Sequence, residues 1–415
     1  MKLLHTSDWH LGLRLGRNDR TPDQSLAMKA LIDVAEEEKP DLIVHSGDLF
    51  DSSRPPYEPM RLGVRALARL SAVAPTVVIA GNHDSLALFR VLHDMAGIAH
   101  PRRLWFIDSP QVLEIPQLGD GFALTAVPFI PPSLISSLSI ADLAKLEGNY
   151  ADGVRSLNTH LLAQARQIAG NRGIVTYTAH LHVAGARPGK SEKVITVGED
   201  YATTVESLGA AMYSAFGHIH DPQLLPGGLV TGRYAGSLVP IDFGERTQGK
   251  HAVIVELGDD VRVTERPLPG GRPLHQFEGS LEQLEADAAA GKLDGTLLKA
   301  RVQSADPIAD LADLVAAWAP DCDIFDLANV VANQPVKAIT ATEEAGDEPP
   351  IEDLFAEWRS SGNARKRNAP DAAVVAAFSR AMGDGVERTA GFGTSELVTA
   401  ADTALKAFST DGEEG

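Results

Sequence analysis

Cysteine is almost absent from this sequence, and long apolar runs are missing altogether. The single cysteine, Cys322, excludes a disulfide within the chain and fits a reducing cytoplasm. No run of about 18 apolar residues occurs, so we expect no transmembrane helix. The first polar motif begins as early as Asp8, which leaves no room for a signal peptide before it. These absences together predict a cytoplasmic protein.

Basic residues are also scarce, because 37 lysines and arginines stand against 56 aspartates and glutamates, a net charge of −19. This balance argues against a nucleic-acid binder with a broad basic face. It does not exclude a metalloenzyme, because acids that hold cations lose their repulsion for phosphate. A chain of 415 residues is long enough for two or three domains.

What the sequence does have is a series of short apolar strands that end in polar residues. Strands are predicted over 112–115, 122–127, 228–230, 233–237, 250–257, 297–302 and 336–339, and helices over 140–169, 281–290 and 308–317. The strands that end in polar residues are predicted over 2–6, 43–46, 76–80, 174–178 and 211–216, and a polar loop over 14–23 and helices over 25–38 and 60–72 lie between the first of them. The polar residues at the strand ends are Asp8 and His10, Asp48, Asn82 with His83 and Asp84, His180, and His218 with His220. Open α/β sheets bind ligands beyond the carboxyl ends of their strands, so we expect these clusters to converge.

The side chains in these clusters predict a two-metal hydrolytic centre. The candidate ligands are Asp8, His10, Asp48, Asn82, His180, His218 and His220. Nitrogen and oxygen ligands without thiolate suit Mn²⁺, Fe or Zn²⁺ better than Mg²⁺ or Ca²⁺. Two cations that share a carboxylate can neutralise a phosphodiester and generate hydroxide near neutral pH. We expect Asp48 to be the shared ligand, because its strand is the better candidate for a central position. His182 remains an alternative to His180.

The neighbour of Asn82, His83, is the candidate catalytic residue. It can reach a substrate rather than the metal and donate a proton to the leaving oxygen. We expect Asp84 to orient the ring of His83, and Asp51 to tie down its loop.

The five clusters resemble the motifs of calcineurin-like metallophosphoesterases. The stretch from Ser7 to Gly12 and the stretch from Arg233 to Glu245 further resemble the DNA-repair nuclease branch, and within it the bacterial SbcD-type exonuclease subunits. The resemblance implies that Asp8, His10, Asp48 and His220 hold one metal, and that Asp48, Asn82, His180 and His218 hold the other. Trp9, Tyr234 and Ser237 are predicted to contact the substrate, with interior packing as the alternative for Trp9.

The fold implied is an α/β sandwich of four layers, in which two sheets are flanked by helices. We predict a nuclease domain over residues 1–270, an α+β capping domain that contacts DNA over 271–341, an acidic linker over 342–350 and a helical tail over 351–415. In the tail, Leu354, Phe355 and Trp358 form an apolar stripe. We expect this stripe to bind a partner, although it could instead fold back on the body.

Three functions compete at this point. The first is an Mn²⁺-dependent DNA exonuclease that also cuts hairpins as an endonuclease. The resemblance implies that it acts in DNA repair, recombination and replication as a homodimer bound to an SbcC-like coiled-coil ATPase, in the cytoplasm at the nucleoid. The second is a small-molecule phosphodiesterase or nucleotidase on the same scaffold. The third is a non-catalytic subunit whose site only holds metal.

Overall fold

The computed structural model describes residues 1–131, 150–189 and 202–331. The predictions for the strand at 336–339, the linker, the tail helices and the partner-binding residues Leu354, Phe355 and Trp358 lie outside the described residues, as does the first part of the helix predicted over 140–169. Among the described residues, no helix is both long and apolar enough to cross a membrane.

The first sheet has six strands in the order β14-β13-β1-β4-β5-β6. Its members are β1 (Lys2–Thr6), β4 (Leu42–His45), β5 (Thr76–Ile79), β6 (Leu104–Ile107), β13 (Lys250–Leu257) and β14 (Val261–Leu268). The first four are parallel, and β13 and β14 join antiparallel at the β1 edge. Strands β4 and β5 are buried along their whole length. Apart from His45 and Thr76 their residues are apolar, as in parallel strands covered on both faces.

The second sheet also has six strands, in the order β11-β12-β10-β9-β8-β7. They are β7 (Gln111–Leu113), β8 (Phe122–Val127), β9 (Ile174–His180), β10 (Tyr213–Gly217), β11 (Gln223–Leu224) and β12 (Gly232–Tyr234). Strands β8, β9, β10 and β12 run parallel, and the short outer strands run antiparallel to their neighbours.

Helices cover the outer faces of both sheets. The helices against the first sheet are α1 (Thr21–Glu38), α2 (Tyr57–Val73) and α3 (Leu86–Ala96), and α4 (Tyr150–Ala169) packs on the second sheet. A separate apolar layer between the sheets joins Leu3, Val44 and Val77 to Leu124 and Ala215. The order is therefore helix, sheet, sheet, helix, which confirms the predicted four-layer fold.

A third, smaller sheet follows the sandwich. Strands β15 (Leu274–Ser280), β16 (Leu297–Ser304) and β17 (Asp323–Val331) are parallel, with α5 (Leu281–Ala289) and α6 (Leu311–Trp318) as crossovers and an apolar core of their own. Arg272 holds this unit to the sandwich by binding the carboxylate of Asp23 and that of Asp323. The ring of Phe325 packs against Phe243 at 5.0 Å between centroids.

Several predicted elements differ from the structure. Helix α1 begins at Thr21 rather than residue 25, because Pro22 suits the first helical turn and Asp19 accepts the Thr21 amide at 2.9 Å. The polar loop predicted over residues 14–23 contains a small hairpin of β2 (Arg14–Leu15) and β3 (Asn18–Asp19). The strand predicted over 228–230 is wrong: the chain bends there, with Gly228 at a φ of 64°. Strands β6, β11, β14, β15 and β17 and helix α3 were not predicted.

Candidate metal centre

The loops that follow β1 and β4 are bonded to each other at the carboxyl edge of the first sheet. The amide of Asp8 donates to the carbonyl of Gly47 at 2.9 Å, and the amide of His10 donates to that of Asp48 at 3.1 Å. The second sheet meets them there, because the His218 amide donates to the Asp8 carboxylate at 3.1 Å. The two sheets thus present their strand ends to one point, as the sequence predicts.

The backbone at this point is strained. Among the described residues, six other than glycine have a positive φ, and four of them are predicted ligands: Asp8 (50°), His10 (44°), Asp48 (54°) and His218 (96°). Such conformations cost on the order of 1–3 kcal/mol each and persist where the surrounding structure enforces them. Their concentration on one set of side chains marks a functional site rather than a set of ordinary turns.

The first group of ligand atoms comes from Asp8, His10, Asp48 and His220. All four residues are buried, and one atom of each lies within 4.8 Å of all the others. The Nε2 atoms of His10 and His220 are 3.2 Å apart. The His10 Nε2 lies 3.5 Å from the Asp48 Oδ2, and the His220 Nε2 lies 3.9 Å from the Asp8 Oδ1.

The second group comes from Asn82, His180 and His218. The Asn82 Oδ1 lies 3.0 Å from the His180 Nε2 and 2.9 Å from the His218 Nδ1. The His180 Nε2 is also 3.3 Å from the Asp48 Oδ2. One carboxylate oxygen of Asp48 therefore touches a histidine of each group. A central strand position does not single out Asp48 as the shared ligand, because β1 and β4 are both interior strands. The contacts of its Oδ2 with His10 and His180 do.

Each of three histidines in the site has an acceptor behind its ring. The His180 Nδ1 contacts the Ser46 carbonyl at 2.8 Å, the His10 Nδ1 lies 3.3 Å from an Asp51 carboxylate oxygen, and the His220 Nδ1 lies 3.4 Å from a Glu245 carboxylate oxygen. Such partners fix the ring and its tautomer, so that the other nitrogen faces a metal. The sequence does not predict this role for Glu245, and it predicts a different one for Asp51.

Burial and charge shift the pKa values of these groups. Burial raises the pKa of Asp8, and the negative charge of Asp48 raises it further. The surrounding histidines lower it, but their effect is smaller. Burial also opposes ionisation of Asp48, but the charge and hydrogen bond of His180 hold its pKa well below the usual value. Burial lowers the pKa of His10 and of His180, yet their carboxylate neighbours outweigh it and raise both to about 9.

The donor set fits divalent cations. Two buried carboxylates face four imidazoles and the amide oxygen of Asn82. Metal ions bind deprotonated imidazole, so cations held by the carboxylates would displace any protons from the ligand nitrogens. Nitrogen and oxygen donors without sulfur belong to ions of the Mn²⁺, Fe or Zn²⁺ type.

The structure exchanges the roles that the sequence predicts for Asp84 and Asp51. The Asp84 carboxylate does not orient His83; it accepts backbone amides from Leu49 at 3.1 Å, Phe50 at 3.0 Å and Gly81 at 2.9 Å. The His83 Nδ1 instead contacts the Asp51 carbonyl oxygen at 2.7 Å. Asp84 therefore anchors the two ligand loops, because its carboxylate is a strong acceptor for several N–H groups.

Glycines at the strand ends allow the ligands to approach. A Cβ on Gly47, which has a φ of 100°, would overlap the ring of His180, and a Cβ on Gly81 would overlap the carboxylate of Asp48. Close packing thus requires both glycines, and Gly47 is also required by its backbone conformation.

The three predicted substrate contacts, Trp9, Tyr234 and Ser237, lie inside the folded chain. Trp9 and Tyr234 are fully buried and Ser237 is 2% exposed, so their positions favour a packing role. The Trp9 Nε1 donates to the Thr6 hydroxyl at 2.9 Å, and the Tyr234 hydroxyl donates to the Leu181 carbonyl at 3.0 Å. A buried tryptophan or tyrosine takes such a partner when it serves the core.

The two histidines left open by the sequence take different positions. His180 ends β9 within the second group, whereas His182 lies beyond the strand, where its carbonyl accepts the Thr203 amide at 2.8 Å. Phe129, which the sequence analysis did not select, stacks on His218 with 6.2 Å between ring centroids.

The family model for calcineurin-like phosphoesterases matches residues 1–222. This chain belongs to the calcineurin-like phosphoesterase family. The SbcD component of the SbcCD nuclease of Bacillus subtilis (strain 168) is 31% identical over 291 residues, 68% of this chain and 73% of the relative. The same component of the Escherichia coli (strain K12) nuclease is 28% identical over 292 residues, 69% and 73% of the two chains. A crystal structure of a dimetal phosphatase from Danio rerio covers 64% of this chain and 96% of its own, at 11% identity and a TM-score of 0.40.

The two bacterial relatives confirm the predicted relationship to SbcD-type proteins. The chain is accordingly a phosphoester hydrolase related to SbcD-type nuclease subunits. Its buried cluster of Asp8, His10, Asp48 and His220 is a candidate site for divalent metal.

Proposed function

We propose that this chain is a two-metal DNA nuclease that acts on duplex ends as an exonuclease and on hairpins as an endonuclease. The observation that carries the proposal is the Asp48 Oδ2, which lies 3.5 Å from His10 in one ligand group and 3.3 Å from His180 in the other. A carboxylate shared in this way is what a pair of cations needs, because two ions about 3.5–4 Å apart require a common ligand.

In this proposal Asp8, His10, Asp48 and His220 hold one ion, and Asp48, Asn82, His180 and His218 hold the other. Mn²⁺ is the proposed metal, in keeping with the mixed nitrogen and oxygen donors. When bound, the ions supply charge neutralisation on the phosphate and a nucleophile from water near neutral pH. The protein's own part is to orient these ligands on rigid strand ends and to bury them.

His83 is the proposed catalytic histidine. Its amide donates to the Asp48 Oδ1 at 2.8 Å, so its position is tied to the shared ligand. The Asp51 carbonyl fixes its Nδ1, and the Nε2 is then the atom that hands a proton to the leaving oxygen. Asp84 has no direct part in this step and acts by holding the loop.

DNA is the proposed substrate because the relatives named above are components of a nuclease. Residues 271–341 are the proposed capping domain. Its described part, residues 271–331, contacts α1 through Arg272 and the hairpin of β2 and β3 through Phe325, close after His10 in the chain. Because this unit lies beside a loop that follows a metal ligand, it is placed to contact DNA bound at the site. The overall charge of the chain is negative, so the proposed contact does not depend on a broad basic face.

The proposed partners follow from the same relatives. An SbcC-like coiled-coil ATPase would bind the tail at Leu354, Phe355 and Trp358, beyond a linker over 342–350. The complex would work in DNA repair, recombination and replication at the nucleoid in the cytoplasm.

A homodimer is proposed through α2 and α3, which expose Tyr57, Val64, Val91 and Met95. Exposed apolar side chains on neighbouring helices are typical of association surfaces.

The proposal is tested with the full chain, Mn²⁺ and two DNA substrates, a linear duplex and a hairpin, each with and without the ATPase partner. We expect Mn²⁺-dependent release of nucleotides from the duplex and cleavage of the hairpin, and we expect Asp48→Asn to abolish both. Hydrolysis of bis-(p-nitrophenyl) phosphate and nucleotides without any cleavage of DNA would instead identify a small-molecule phosphodiesterase.

A further inference from the structure

A fully buried ion pair stands behind the metal ligand His220. The side chains of Glu245 and Lys250 are 1% and 0% exposed, and the Lys250 Nζ donates to the Glu245 Oε2 at 2.8 Å. Burying two charges costs several kcal/mol per ion before their attraction is counted, and an apolar pair of similar volume is often as stable. The cost indicates that these charges serve something other than stability.

The two carboxylate oxygens of Glu245 have different partners: one faces the metal ligand His220, and the other accepts hydrogen bonds from neighbouring groups. The Oε1 lies 3.4 Å from the His220 Nδ1. The Oε2 accepts from the Lys250 ammonium at 2.8 Å and from the Ile241 amide at 3.2 Å. The Ser237 hydroxyl lies 3.1 Å from the same oxygen, and its one hydrogen is divided between Oε2 and the Val239 carbonyl at 2.9 Å. These contacts hold the carboxylate in one orientation, so its other oxygen has a fixed direction.

Lys250 contacts the ligand's backbone as well as the carboxylate. Its Nζ donates to the His220 carbonyl at 3.2 Å and to the Ser237 hydroxyl at 2.7 Å. One ammonium group therefore fixes both the main chain of His220 and the acid behind its ring. The opposite nitrogen of the ring, Nε2, faces His10 and Asp8 in the first ligand group.

We propose that Glu245 is a positioning residue for His220, with Lys250 and Ser237 as its supports, and that it sets the affinity of the metal site formed with Asp8 and His10. The inference rests on the proposed two-metal function. A carboxylate at Nδ1 holds the proton there, presents Nε2 as the ligand atom and raises the basicity of the ring. Glu245 does not touch the substrate or the reacting atoms.

The two ligand groups should respond differently to the loss of Glu245. In the first group two histidines have carboxylates behind them, Asp51 behind His10 and Glu245 behind His220. In the second group His180 relies on a neutral carbonyl, that of Ser46. Removing the charge of Glu245 should therefore weaken one ion and spare the other.

The test measures Mn²⁺ binding to the full chain. Calorimetry gives the affinities, and the electron paramagnetic resonance signal of free Mn²⁺ gives the number of ions bound. Glu245→Gln keeps the volume and one acceptor oxygen but removes the charge. We expect the wild type to bind two ions, and the variant to bind one of them about 10–100-fold more weakly with the other unchanged. Hydrolysis of bis-(p-nitrophenyl) phosphate should return to near the wild-type kcat at high Mn²⁺, because His220 itself is still present.

Two further variants separate positioning from folding. Glu245→Gln combined with Lys250→Met removes both buried charges, so no unpaired charge can unfold the chain, and it should show the same weakening of one ion. Glu265→Gln removes a carboxylate that is paired with Arg233 away from the ligands, and it should bind both ions as the wild type does. Thermal unfolding of the metal-free proteins checks that each variant is folded.

The outcomes distinguish this inference from the proposed function. Wild-type affinity for both ions in the two Glu245 variants would overturn the positioning role while leaving the nuclease proposal intact. Equal weakening of both ions would also overturn it, because that result describes general damage to the site. A wild-type chain that binds fewer than two ions would remove the two-metal proposal on which the inference rests.

Discussion

Replacing Asp84 by asparagine tests whether this residue anchors the ligand loops or orients the catalytic histidine. Its carboxylate accepts three backbone amides, two on Oδ2 from Leu49 and Gly81 and one on Oδ1 from Phe50. An asparagine can keep one acceptor oxygen in place, but its NH₂ group must then face another donor. With about 1.5–3 kcal/mol for a hydrogen bond to a charged group, we expect a destabilisation of about 3 kcal/mol.

The measurement is urea unfolding of the metal-free chain, in which the midpoint should fall at an unchanged slope. The matched control is Asp108→Asn, which breaks a surface pair with Arg90 and should cost less than about 1 kcal/mol. A combined variant with His83→Ala provides the second readout. If Asp84→Asn left stability unchanged and added nothing to the kinetic loss of His83→Ala, Asp84 would act through His83 and our assignment would be refuted.

Three further predictions concern catalysis, pH and packing. His83→Ala should lower kcat by about 10²–10⁴-fold, or roughly 3–5 kcal/mol, with bound Mn²⁺ unchanged by elemental analysis; loss of metal in parallel would contradict the catalytic role. Burial, helped by the charge of Arg233, lowers the pKa of His5 to about 3 from 6.5, so the unfolded chain binds the proton first and stability falls as pH drops below 6.5. Urea unfolding should show that about 2 kcal/mol of the loss between pH 8 and 5 disappears in His5→Gln, and an identical pH dependence in both proteins would argue against it. Gly47→Ala should destabilise the chain by on the order of 3 kcal/mol and weaken metal binding, since its Cβ would overlap His180; a variant as stable as the wild type would show that the loop can move aside.

The sequence predicts the sandwich because its strands are local and their signals are strong. The segments of β1, β4 and β5 are short, each has a run of two or three adjacent apolar residues, and each runs into a polar turn, so their type and their edge can both be inferred. Strand β14 carries Arg262, Glu265 and Arg266, and half of its residues are exposed, which leaves only a short apolar alternation at Val261 and Val263. It forms because β13 offers an edge for pairing, and such pairing is a tertiary effect.

The ligands could be selected from sequence because metal binding needs particular atoms at strand ends. Their supports could not, because a carboxylate's partners depend on which loops meet in space. Asp84 and Asp51 both lie near His83, and nothing in their spacing tells which of them meets its ring. Glu245 is 25 residues from His220, and only the folded chain brings the two together.

The burial of Trp9 and Tyr234 illustrates the same limit. Aromatic residues next to ligands suit a substrate groove and a packed interior equally well, and the choice depends on whether their polar atoms find partners inside. Thr6 and Leu181 supply those partners here. A motif residue beside a site is therefore weaker evidence for substrate contact than an atom that points into it.

The central claim is that one carboxylate, that of Asp48, joins two cations at the meeting edge of the two sheets. The most direct measurement is anomalous diffraction at the manganese edge from crystals of the full chain soaked in Mn²⁺. We predict two peaks about 3.5–4 Å apart, both in contact with Asp48, one beside His10 and His220 and the other beside Asn82 and His180. A single peak, or two peaks of which only one touches Asp48, would contradict the account.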